Sequence, residues 1–251
     1  MLSREADAVL ARLEDAGHAA YAVGGCVRDL LREAVPHDWD VTTSARPEEV
    51  MALFPGRCIP TGLPHGTVTV RENHQSIEVT TFRADGPYDD GRHPRSVTFS
   101  TRIEDDLARR DFTVNAMALD RRGTLVDVFG GREDLARGVI RCVGEPDRRF
   151  GEDALRVMRA LRFAACFGFS IGEETARSLR RSAPGLRRIA AERLREEMTK
   201  LLCGDGAAAV LLAYPEVIGV FLPEILPSVG FEQHNPHHYY TVWEHLVRSA
   251  A

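Results

Sequence analysis

The sequence predicts an α+β chain, with a mixed part to about residue 145 followed by an all-helical part. Runs rich in Val, Ile and Thr fall in the first half, at 67–70 and 77–82, whereas apolar residues after Pro146 recur at helical spacing. Charge shifts at the same place. Residues 141–200 hold 14 Arg and Lys against 9 Asp and Glu, although the whole chain has a formal net charge of −5. No internal repeat or low-complexity stretch is visible.

Each element has its own local reason. Ala6, Val9, Leu10 and Leu13 share one helical face across residues 3–17, and Gly17 ends the run. A strand at 20–23 enters the turn Gly24-Gly25, a helix starts from Val27, and a second strand covers 39–42. Pro47 opens a short helix to Leu53, with Glu48 and Glu49 in its first turn. The strands 67–70 and 77–82 are joined through a polar turn at 72–76. Residues 83–99, with Gly86, Pro87, Asp89, Asp90, Gly91 and Pro94, read as a loop too long for a simple hairpin. An apolar run at 114–119, helical or extended, leads into 125–129, and Gly130-Gly131 close the first unit. Helices are expected at 154–167, 173–182, 189–202 and 207–213.

Composition narrows the function. The 251 residues contain no apolar run of membrane-spanning length, and residues 1–10 carry charges where a signal peptide needs an apolar stretch. Five scattered cysteines lack any Cys-x-x-Cys spacing, so a reduced, cytoplasmic protein without a structural zinc is expected. The basic segment 141–200 suits a polyanion beside an acidic region; a solvated helical face is the plainer alternative.

The strongest chemical signal is Gly24-Gly25-Cys26-Val27-Arg28-Asp29 followed by Asp38-Trp39-Asp40. A glycine turn into a helix offers backbone N–H groups to a phosphate, and Arg28 adds a positive fork. Carboxylates at i and i+2 on an extended segment share a face, which suits Asp38 and Asp40 to holding Mg²⁺ around a transferring phosphoryl group. Glu78 is a candidate third carboxylate, or else a solvent-facing strand residue, and Arg110 is a candidate phosphate contact. In Glu152-Asp153-x-x-Arg156-x-x-Arg159-x-x-Arg162 the charges form a stripe on one side of a helix. It serves equally as a salt-bridged exposed face or as a nucleotide surface of Arg forks and an Asp acceptor. His65, His74 and His93 are dispersed, without metal-ligand spacing; His234, His237, His238 and His245 cluster near the C-terminus.

The glycine turn with Asp38-Trp39-Asp40 resembles the signature of class II tRNA nucleotidyltransferases and bacterial poly(A) polymerases. Arg109-Arg110-Asp111-Phe112-Thr113-Val114-Asn115-Ala116-Met117-Ala118 resembles a second signature of that family. Glu152-Asp153-Ala154-Leu155-Arg156 resembles its base-selecting motif, and Glu192-Arg193 with Glu196-Glu197 a later helical one. The resemblance implies a polymerase-β-like head at 1–145, a helical nucleotide-selecting neck at 146–205, and the start of a body at 206–251. It implies template-free addition of CCA, or its terminal A, to tRNA 3′ ends from CTP and ATP. Asp38 and Asp40 would hold Mg²⁺ and Glu78 would assist. Gly24, Gly25, Arg28, Arg110, Asp153, Arg156, Arg159 and Arg162 would bind the nucleotide, with Asp153 and Arg156 at the base edge. The 83–99 loop matches a flexible segment kept by members that add A. Residues 234–251 resemble the opening of an HD phosphohydrolase-type domain, His245 matching its first metal ligand, so the chain is expected to end inside that domain. A poly(A) polymerase of the same fold and a catalytically weak RNA-binding fragment are the alternatives.

Overall fold

The computed structural model describes residues 2–88, 95–235, 237 and 239–250. They fall into two compact units, Met1–Ala136 and Arg137–Ala251.

The first unit is built on a seven-stranded sheet. Helix α1 (Arg4–Asp15) begins where the Ser3 hydroxyl accepts from the Ala6 amide, and buries Ala6, Val9, Leu10 and Leu13. It is followed by β1 (Ala20–Val23), α2 (Gly25–Leu31), β2 (Trp39–Thr43) and α3 (Pro47–Leu53). Next come β3 (Cys58–Gly62), β4 (Thr67–Glu72), β5 (Gln75–Thr81), β6 (Arg83–Asp85), β7 (Val97–Phe99) and α4 (Ile103–Ala108). A 3₁₀ turn at Thr113–Asn115, β8 (Ala118–Leu119), β9 (Leu125–Val126) and α5 (Gly131–Arg137) complete the order. The strand order is β3-β4-β5-β2-β1-β8-β9. Of these pairings only β2–β5 is parallel.

Strand alternation gives the sheet two unlike faces. Trp39, Val41, Ile77, Val79, Val68 and Val70 join one core with α1, α3 and the start of α2. Burying each such side chain contributes about 1.5–3 kcal/mol relative to exposure. The residues between them, Asp40, Thr42, Glu78, Thr80, Thr67 and Thr69, therefore line the other face. Threonine pairs knit it together: Thr67 and Thr80 hydroxyls lie 3.0 Å apart, and Thr61 and Thr69 2.9 Å.

Residues 83–99 differ from the expected loop. Arg83–Asp85 pairs antiparallel with Val97–Phe99, so the segment has a hydrogen-bonded base. Gly66, at φ +77°, accommodates it: a Cβ there would come within 2.7 Å of the Phe99 ring. Residues 89–94, with Asp89, Asp90, Gly91, His93 and Pro94 of that expectation, lie outside the described residues, as does His238.

The second unit is helical except for a two-stranded parallel pair, β10 (Val139–Ile140) with β11 (Ser170–Ile171). That pairing draws residues 137–145 into the helical unit. Its helices are α6 (Pro146–Glu152), α7 (Leu155–Phe167), α8 (Glu173–Ser182), α9 (Ala191–Leu202), α10 (Ala207–Ala213), α11 (Pro215–Ile218) and α12 (Val242–Ala250). Close packing of α7 under the α9–α10 turn requires small residues. A Cβ on Gly204 would meet the Ala165 backbone at 2.7 Å, and the Gly206 amide donates to the Ala165 carbonyl at 2.9 Å. No helix among the described residues is long and apolar enough to cross a membrane.

Candidate active site

In the first unit, the predicted residues converge at the polar face beside the glycine turn. Asp40 lies on β2 in register with Glu78 on β5, and exposed Asp38 precedes the strand. Burial pushes the Asp40 carboxyl up to about 6; Arg110 opposes the rise, and the charges of Glu78 and Asp38 add to it. A concentration of negative charge this close raises a carboxyl in water-poor surroundings and favours any cation that enters. Among the described residues no three His, Cys, Asp or Glu side chains form a ready cage for a metal. The donor set nevertheless fits a hard cation, since Mg²⁺ is held by one or two carboxylates with water and substrate oxygens filling the other positions.

Gly24 sits at φ +79°, and its lack of a side chain opens the site. A Cβ there would lie 2.9 Å from an Arg110 guanidinium nitrogen and 3.9 Å from an Asp40 oxygen. Its amide donates to the Met117 carbonyl, tying the turn to the chain beyond the 3₁₀ turn. Gly25 opens α2, where a Cβ would approach the Arg28 guanidinium at 3.7 Å.

The arginines of this site are held rather than free-swinging. Arg28 is buried, with Nε donating to Asp29 at 2.9 Å and a terminal nitrogen to the Asn115 side-chain oxygen at 2.6 Å. Asn115 in turn donates to Asp111 at 3.1 Å. Fully buried Asp106 accepts from both Arg109 and Arg110. Burial by itself would raise its carboxyl, but the two guanidinium groups hold it below the usual carboxylate range. Asp106 and Asn115 were not singled out as site residues from the sequence. The available signal was their spacing: Asp106 stands one helical turn before the Arg pair, and Asn115 lies inside the second signature.

In the second unit the charged stripe is broken and inward-facing. Asp153 has extended backbone, so it ends α6 and its side chain caps α7, accepting from the Leu155 amide at 2.9 Å. Glu152 and Arg156 therefore lie on different helices, contrary to a single continuous stripe. Glu152 accepts from Arg149 at 2.7 Å and from Arg156 at 2.6 Å. Helix α9 supplies the remaining partners. Arg193 donates to Asp153 at 2.8 Å, and Glu197 accepts from Arg162 at 2.7 Å and lies 3.7 Å from Arg159. Arg162 stacks on Phe163, 3.7 Å from the ring centroid. Burial lowers the Arg162 guanidinium's affinity for its proton, against the pull of Glu197. The exposed-face alternative does not hold, because the Glu152, Arg156 and Arg162 side chains are only 11%, 12% and 15% exposed.

Known proteins resemble this chain over most of its length. Residues 20–141 match the poly A polymerase head domain, and residues 168–226 match the probable RNA and SrmB-binding site of polymerase A. The CCA-adding enzyme of Geobacillus stearothermophilus is 48% identical over 88% of this chain and 54% of its own length. That of Lactobacillus helveticus is 51% identical over 78% of this chain and 49% of its own. Among solved structures, the Bacillus stearothermophilus CCA-adding enzyme in complex with CTP superposes with a TM-score of 0.77 at 48% identity, covering 83% of this chain and 50% of that one. The Thermotoga maritima CCA-adding enzyme complexed with tRNA gives 0.70 at 29%, covering 87% and 52%. The chain spans about half the length of these relatives. On its motifs, its sheet and these matches, the chain carries regions that match a poly A polymerase head domain and a polymerase RNA-binding site, and over the part it spans it is similar to CCA-adding enzymes.

Proposed function

We propose that this chain carries the catalytic head and nucleotide-selecting neck of a tRNA nucleotidyltransferase that adds CCA, or its terminal A, without a template. The observation that carries the reading is Asp40 in register with Glu78 across the parallel β2–β5 pair, with Asp38, Arg110 and the Gly24 turn beside it. Relatives described as bound to CTP, ATP and tRNA support the choice of substrates.

In the proposed reaction the 3′-hydroxyl oxygen of tRNA forms a bond to the α-phosphorus of CTP or ATP. The bond to the bridging oxygen breaks, and pyrophosphate leaves. Mg²⁺ held by Asp38 and Asp40 would ease deprotonation of the hydroxyl and neutralise triphosphate charge. Glu78 concentrates negative charge beside them. Gly24 and Gly25 let the triphosphate approach the backbone closely, and Arg110 is placed by Asp106 to offer a fixed positive charge. Arg28, held by Asp29 and Asn115, braces the turn. In the neck, Asp153 and Arg156 present an acceptor and a donor fork to the base edge, with Arg159 and Arg162 alongside. We assign residues 146–205 to this neck and 206–251 to the start of a body.

The test is primer extension on tRNA transcripts ending at the discriminator base, at C, and at CC, with CTP and ATP separately and together and Mg²⁺ present. Full CCA on the shortest transcript supports the proposal, and extension of the CC-ending transcript alone narrows it to A addition. ATP-only growth on unrelated RNA would replace it with poly(A) synthesis. No extension of any transcript would overturn it for this chain.

A further inference from the structure

We infer that helix α5, through Gly131 and Asp134, is the buttress that sets the position of the glycine turn and Arg28, making Asp134 a positioning residue for nucleotidyl transfer. The inference rests on the function proposed above. Helix α5 is locked to the second signature at two points.

The first lock is a hydrogen bond between buried partners. The Thr113 hydroxyl, fully buried, donates to a carboxylate oxygen of Asp134, itself 6% exposed. Burying a carboxylate costs free energy unless hydrogen bonds compensate it, and Thr113 supplies one here. The second lock is steric. A Cβ on Gly131 would stand 2.2 Å from the Thr113 carbonyl oxygen and 2.8 Å from Met117 Cγ, so only glycine lets the helix start sit against this turn. The start of α5 is itself fixed, because Asp127 accepts from the Gly131 amide at 2.7 Å and the Arg132 amide at 2.9 Å.

From Thr113 the chain of contacts runs directly to the site. Thr113 closes the 3₁₀ turn by accepting from the Ala116 amide at 2.9 Å. That turn carries Asn115, whose side chain grips Arg28 at 2.6 Å, and leads into Met117, whose carbonyl accepts the Gly24 amide. The Asn115 carbonyl also lies 3.8 Å from where a Gly24 Cβ would be. Shifting Thr113 therefore moves both anchors of the glycine turn together.

The experiment compares wild type with Asp134→Ala, Asp134→Asn and Gly131→Ala, by hydrogen–deuterium exchange and by steady-state transfer to CC-ending tRNA. Asp134→Ala is expected to speed amide exchange in 24–28 and 113–117 without changing exchange in 67–81. It should also lower kcat by up to about 10²-fold, the scale of a misplaced reacting geometry, while KM for tRNA stays unchanged. Asp134→Asn keeps an acceptor oxygen for Thr113 and should restore most of both. Unchanged exchange at 24–28 in folded Asp134→Ala and Gly131→Ala would overturn the inference. So would a loss of activity explained wholly by unfolding and not rescued by Asp134→Asn. If exchange changes as stated but wild type transfers no nucleotide, the coupling stands and the proposed function fails.

Discussion

The head and the neck handle charge in opposite ways. Asp40 on β2, Glu78 on β5 and Asp38 just before β2 gather opposite Arg110, and Asp40 is pushed up to about 6. Between α6, α7 and α9 each stripe arginine meets a carboxylate, with Glu152 against Arg156 and Glu197 against Arg159 and Arg162. The first arrangement is short of positive charge and would be completed by a cation. The second is paired internally, Arg149, Arg156, Arg159, Arg162 and Arg193 sharing Glu152, Asp153 and Glu197, so the arginines are oriented before any ligand arrives. A surplus of carboxylates marks where positive charge must be supplied, and a paired ladder marks where direction matters.

The largest effect should come from the unbalanced side. Asp40→Ala should abolish transfer of both CTP and ATP while the thermal transition persists; appreciable turnover in that variant would remove Asp40 from the reaction. Arg156→Ala should have the opposite character, retaining transfer but blurring the choice among CTP, ATP, GTP and UTP. Unchanged selectivity in competition assays would take Arg156 out of base reading.

Stability against pH sharpens the contrast. The Asp40 carboxyl is raised in the fold, so its contribution is fully present below its unfolded value near 3.8 and is lost as pH rises through about 6. In metal-free protein that loss is up to roughly 3 kcal/mol, and Asp40→Asn should remove it. Asp106, held below the usual range, works the other way: its contribution is present above its unfolded value and is lost on acidification. Denaturant titrations across pH would show both; a flat Asp40-dependent limb would contradict the charge surplus. The smallest effect is in the neck. Glu197→Ala removes one hydrogen-bonded acceptor from Arg162 and should cost about 2 kcal/mol in unfolding free energy, more than any change it makes to the rate at saturating nucleotide.

Much of this was legible in the sequence where local pattern and tertiary need agree. The strand at 20–23 and the helices Pro47–Leu53, Glu173–Ser182 and Ala207–Ala213 have the bounds expected from periodicity and capping. Strand β3 was hidden because it is an exposed edge strand carrying Pro60 and an irregular register, which is where proline is tolerated. The base of the 83–99 segment was hidden because three-residue strands leave no periodic trace. In the neck, Arg193 and Glu197 stand four apart and read as a pair along one helix. Instead they reach across to Asp153 and to Arg159 and Arg162, which only packing of α7 against α9 decides. The expected helix 154–167 begins within one residue of α7, whereas the stripe drawn from Glu152 to Arg162 crosses the extended residue Asp153, because one such residue between helical runs costs the pattern nothing.

The most direct measurement is Mn²⁺ binding followed by electron paramagnetic resonance in wild type, Asp38→Asn, Asp40→Asn and Glu197→Gln. The account predicts binding in wild type and Glu197→Gln, and its loss in both aspartate variants. Equal binding in all four, or loss in Glu197→Gln alone, would contradict a cation-seeking head and an internally paired neck.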